Sequence, residues 1–162
     1  MRLSGADAQI SELAEQARRK PVLHFTGSLP LRKSRGLEAH LPLFSRRENG
    51  DAQPVAASKL FVLDLPSDLA VVDSSTVDEK DVEGQAVRLF SRGLNYAGVR
   101  NLLLSLWDSG DSGRMSELLE FYRSNQMGLS QAQSLRKAQL LALRDDPSPA
   151  KWAAFQLLGP GM

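Results

Sequence analysis

Three short runs in this chain are apolar almost from end to end: "VLHF" at 22–25, "LAVV" at 69–72 and "LLLSLW" at 102–107. Each has the length of a strand, and each is followed by helix-forming sequence. A strand with one wet face alternates apolar and polar residues, whereas a strand apolar throughout is buried on both faces. Buried strands separated by helices predict an α/β sandwich, a mostly parallel central sheet with helices on both faces. All three strands are expected at the centre of that sheet.

The intervening sequence supplies the helices. Over residues 4–19, Ala6, Ile10, Leu13, Ala14 and Ala17 recur at helical spacing behind a capping Ser4, and Pro21 follows the helix end. Acidic "DEKD" opens a helix to about Asn95 with Val82, Ala86, Leu89, Phe90 and Leu94 on one side, and Gly98 ends it. Residues 114–125 form a third helix with Met115, Leu118, Leu119 and Tyr122 as its apolar stripe. A last helix runs from Ser130 to about Arg144, broken by Pro147 and Pro149. "LEAHLPLF" reads as a strand in which Pro42 requires an edge or a bulge. "SRRENGDAQP" and "DSGDSG" read as loops. "KLFVLDL" reads either as a strand or as one or two turns of helix capped by Ser58. "WAAFQLLG" closes the chain.

Absence of cysteine excludes disulfides, thiolate nucleophiles and thiolate metal sites. The two histidines, His24 and His40, are too few and too poorly spaced for a zinc site. A net charge of +1 gives no reason to invoke a nucleic acid or a membrane surface as partner. No run has the length of a membrane span, and the N-terminus has no signal-peptide core. A soluble, cytoplasmic protein without a cofactor is expected.

Open α/β sheets keep their chemistry at the C-terminal ends of their strands. The second strand runs out into Asp73, Ser74 and Ser75, and the first into Gly27 and Ser28. If these strands are neighbours, Ser28 and Ser75 lie close together. A serine nucleophile needs a positioned base. His24 lies four residues before Ser28, on the same sheet face but well down the strand. An exposed Asp73 is a weak base at neutral pH. Polar loop residues are the simpler reading of all of them, and a core histidine is the simpler reading of His24. Trp107 and Asp108 end the third strand and read as pocket lining, or the following Gly and Ser residues as an anion nest. The lysine of a phosphate-binding loop is missing there. Arg32, Lys33, Arg35, Arg46 and Arg47 read as a solvated loop or as a seat for an acidic partner.

Four stretches in order carry a resemblance to a known family: "GLNYAGVRNLLLSLWDSGDSG", "ELLEFYRS", "SQAQSLRKAQLLAL" and "PAKWAAFQLLG". They resemble the later part of a CHAT domain, the caspase-like peptidase domain often found behind tetratricopeptide repeats. In that family an Ala-Gly pair precedes a strand ending in Ser-Leu-Trp. A helix carrying Phe-Tyr follows, then an Ala-Leu-Arg-x-Ala-Gln helix and Trp-x-x-Phe. Upstream, "SGADAQISEL" and "VLHFTGS" are similar to the family's helix start and first catalytic strand. The resemblance covers nearly all of the chain as a single domain, apparently without the first section of a full CHAT domain. It implies a caspase-like fold and burial of Tyr122, Trp152 and Phe155.

The same resemblance bears on the site. Family peptidases carry a catalytic histidine in a pattern like His-Phe-Ala-Gly-His-Gly, which here reads "HFTGSL", so Ser28 takes that place. His24 matches the earlier, non-catalytic histidine. The catalytic cysteine comes in Leu-Ser-Ala-Cys, which here reads "VDSS", so Ser75 takes that place. Both members of the dyad are replaced, and a serine needs a base more than a cysteine does. The expectation is therefore a catalytically inactive pseudopeptidase that binds protein or peptide. Its groove would be lined by Ser28, Asp73, Ser74, Ser75, Trp107 and Asp108. The rivals are a hydrolase using Ser75 with an unrecognised base such as His40, a purely structural or oligomerisation domain, and a regulatory subunit pairing with an active paralogue.

Overall fold

The computed structural model describes residues 10–19, 21–26, 40–46, 52–73, 85–107 and 111–161. Its strands are β1 (Val22–Thr26), β2 (His40–Arg46), β3 (Ala52–Ala56), β4 (Leu69–Asp73), β5 (Asn101–Ser105) and β6 (Phe155–Leu158). Its helices are α1 (Ile10–Ala17), α2 (Gln85–Tyr96), α3 (Asp111–Gln126), α4 (Gln131–Asp145) and the single turn α5 (Pro149–Trp152). The main sheet has the order β1-β4-β5-β6. The three apolar strands of the sequence are mutually parallel neighbours in it, and β6 adds antiparallel to β5.

Alternation along each strand sends side chains to two separate cores. Leu23, Ala70, Val72, Leu102 and Leu104 face one side, where Leu13 and Ala17 of α1 and Phe90 and Leu94 of α2 cover them. Leu69, Val71 and Leu103 face the other, under Leu118 and Phe121 of α3 and Leu135 and Ala138 of α4. The sandwich expected from the apolar runs is thus present, with β5 fully enclosed and β4 enclosed up to its last residue, Asp73. Gly98 ends α2 at φ +105°, a conformation that a Cβ disfavours.

The structure corrects or extends the sequence reading at several places. Among the described residues β1 is an edge strand, with Val22, His24 and Thr26 exposed, rather than a central one. The supposed loop at 45–54 instead supplies the facing ends of β2 and β3, an antiparallel pair whose register shifts between Leu41 and Phe44, around Pro42. "KLFVLDL" is neither strand nor α-helix at its start, since Ala57–Val62 form a 3-10 helix. "FQLL" is a strand, because it meets the open edge of β5. Finally, α3 is turned about its axis: Glu117, Leu118 and Phe121 are buried, while Met115 and Leu119 of the expected stripe are exposed. Phe155 is buried as the resemblance implied, whereas Tyr122 and Trp152 are only half-buried.

Candidate functional site

The parallel pairing of β1 with β4 sets Thr26 beside Asp73 at the C-terminal ends of the two strands. Asp73 and His24 are odd-and-even partners of that register, Asp73 with Thr26 and Val71 with His24, so both project to the α3 side. Ser28 and Ser75 each stand two residues further along the sequence from this Thr26–Asp73 pair. Ser28, Ser74, Ser75 and Asp108 lie outside the described residues. Asp73 and Trp107 are described, and so are the groups that meet them.

Helix α3 supplies two of those groups, because its N-terminal half passes over the end of β4. Arg114 Nε lies 3.0 Å from Asp73 Oδ1, with the two side chains only 16% and 10% exposed. Two turns on, the hydroxyl of Tyr122 meets His24 Nδ1 at 3.0 Å, and the two rings lie 5.8 Å apart. The His24 side chain is exposed in part, yet desolvation of its ring beside Tyr122 lowers its pKa, against the opposing pull of Asp73. Burial likewise pushes Tyr122 up to about 12, and Asp73 adds to it. Near neutrality the pair is therefore a neutral imidazole against a protonated phenol. Whichever tautomer the ring takes, its Nδ1 is occupied by this bond, leaving Nε2 for other partners.

Trp107 is held by its backbone and its ring. Ser105 Oγ donates to the Trp107 carbonyl at 2.9 Å, and the indole N–H donates to the Ala150 carbonyl of α5 at 3.0 Å. The ring remains partly open to solvent just past the end of β5. His40, the rival base, opens β2 in the separate two-stranded sheet. Among the described residues no group of three or more histidines and carboxylates is placed to hold a metal ion. None of the described helices is long and apolar enough to cross a membrane.

Sequence reasoning found Asp73 and Trp107 but missed Arg114 and Tyr122 as members of this end of the sheet. Neither has a local signal, because what brings them there is the seating of α3, a contact across 41 residues for Arg114 and 98 for Tyr122. The search of curated proteins finds no significant match. The sequence profile of the CHAT domain, by contrast, matches residues 2–160. A parallel sheet with its polar groups gathered at the ends of β1 and β4, together with a family match over nearly the whole sequence, leads to one conclusion: this chain belongs to the CHAT-domain family, whose members are caspase-like, peptidase-related modules.

Proposed function

We propose that this chain is a catalytically inactive member of its family, acting by holding a protein or peptide partner at the C-terminal end of its sheet. The observation that supports this most is the in-register pair Thr26 and Asp73. Ser28 and Ser75 follow it at equal sequence distance, and the resemblance of the motifs around them implies that they stand in the places of the family's histidine and cysteine. Two hydroxyls make neither a thiolate nor a general base. Among the described residues no group is set to replace the base: His24 stands four residues before Ser28, well down the strand, and Asp73 forms an ion pair with Arg114. In this reading Ser28, Asp73, Ser74, Ser75, Trp107 and Asp108 line a binding groove, with Trp107 offering an aromatic face to an extended peptide.

The catalytic half is tested by a serine-reactive phosphonate and a panel of peptidase substrates. No labelling and no turnover are expected. Labelling of the wild type that disappears in Ser75→Ala would overturn the reading, since it requires an activated serine. The binding half is tested on an arrayed peptide library. Retention of a subset, weakened about tenfold or more by Trp107→Ala, a loss of about 1.4 kcal/mol, is expected. An array with no retained peptide refutes the groove.

A further inference from the structure

Helix α3 is seated with part of its polarity inverted. Glu117, near its middle, is 2% exposed, while Met115 and Leu119 on either side of it are 56% and 58% exposed. Neither carboxyl oxygen of Glu117 has a hydrogen-bond partner among the described residues. An ionised carboxylate in such a place has lost its water and gained nothing in return. Burial alone pushes its pKa to about 8, so the folded protein carries it as a neutral acid at pH 7.

The same helix brings Arg114 to Asp73 and Tyr122 to His24. These contacts lie three residues before and five residues after Glu117. Glu117 shares a face of α3 with Arg114, one turn before it, and with Phe121, one turn after it, so an opening that lifts α3 off its neighbours wets Glu117 and breaks both contacts together. We propose that the docking of α3 is proton-linked: the helix seats with Glu117 as a neutral acid, and its carboxyl O–H gives up a proton to water when the helix lifts. Rising pH then loosens the wall of the groove. This holds whether or not the groove binds peptide.

The other charged groups described around α3 have places of their own. On α3 itself Arg114 is turned to Asp73, Glu120 to Lys137 of α4, and Arg123, largely exposed, to Glu120. Arg136, Arg144 and Asp145 of α4 and Lys151 of α5 are exposed. From the sheet, the facing groups are Asp73 and His24. Because desolvation lowers the His24 pKa, protonation of His24 weakens the docking as pH falls below its ordinary 6.5. Glu117 acts in the opposite sense, between its ordinary 4.5 and about 8. The two effects oppose one another below 6.5, and Glu117 acts alone above it.

The test is amide hydrogen exchange of α3 in the intact chain at pH 6.5 and pH 8, corrected for intrinsic rates. The opening constant of wild-type α3 should rise about tenfold across this interval, the linkage expected for one proton released on opening. In Glu117→Gln and in Glu117→Leu it should stay flat. Two variants are used because the amide of Gln inherits the lack of partners and the Leu does not. A carbon-13 titration of the wild-type Glu117 carboxyl should give a midpoint near 8. A pH dependence shared by wild type and variants, or a Glu117 midpoint below 6, would overturn the proposal.

Discussion

Arg114 with Asp73 and Arg18 with Asp64 are pairs of nearly equal length, 3.0 and 2.9 Å, but they differ in what surrounds them. The first is largely enclosed and the second lies open to solvent, where water screens it and both long side chains must be ordered to make it. Arg114→Met leaves a carboxylate enclosed without its cation and should cost about 3 kcal/mol, whereas Arg18→Ala should cost less than about 1 kcal/mol. Urea denaturation of both variants checks the contrast, and equal losses would show that the enclosure has no energetic consequence. His24 gives a second prediction at this scale. Its pKa is lowered in the folded state, so stability is full above pH 6.5 and falls as pH drops below that value. His24→Gln should flatten this acid limb of the stability profile while leaving the neutral range nearly unchanged. Tyr122→Phe removes one hydrogen bond from the same pair and should cost about 1 kcal/mol.

Among the elements, α4 and the segment after β6 depend on local chemistry that the sequence displays openly. Ser130 Oγ accepts from the Gln133 amide, and the Gln133 side chain accepts from the Ser130 amide, a reciprocal cap. Ser130→Ala should cost about 1 kcal/mol, read from the midpoint of thermal unfolding. Gly159 is more demanding. It sits at φ +125°, and a Cβ there would come within 2.5 Å of Asn101 Oδ1 and 2.6 Å of the Arg100 carbonyl. The turn it makes lets Gly161 donate to Asn101 Oδ1 at 2.8 Å and accept from the Ala132 amide at the start of α4. Gly159→Ala should therefore cost about 1–3 kcal/mol and increase amide exchange in the first turn of α4. Helix α3 is the contrary case. Its apolar residues point to one face, and the structure uses another, because Leu118 and Phe121 meet Leu69, Val71 and Leu103 while Arg114 reaches Asp73.

For the molecule as a whole, β4 and β5 contribute alternate residues to two cores and so couple them through one sheet. Phe155, on the edge strand β6, closes the core beneath α3 and α4. Phe155→Ala should cost about 3–5 kcal/mol in urea unfolding, the ordinary loss for a buried aromatic. A cost under about 1 kcal/mol would mean that β6 is only loosely attached. Because each core shares its strands with the other, destabilisation of either is expected to lower a single cooperative transition.

The apolar runs at 69 and 102 carried enough information to require strands buried on both faces, whereas the run at 22 announced a strand but not its place at the edge with one exposed row. Legible in the same way are the helix-terminating Gly98 and the capping Ser130, whose effects act through their own neighbours in sequence. Only the tertiary structure decided which strands lie at the edge, which face of α3 turns inward, and that "FQLL" extends along β5. It alone brought Arg114 to Asp73 and Tyr122 to His24. Those outcomes depend on surfaces brought together across dozens of residues, and local periodicity carries no record of the partner. Where α3 buries Glu117 and exposes Leu119, the contacts of the whole helix outweighed the preference of two side chains.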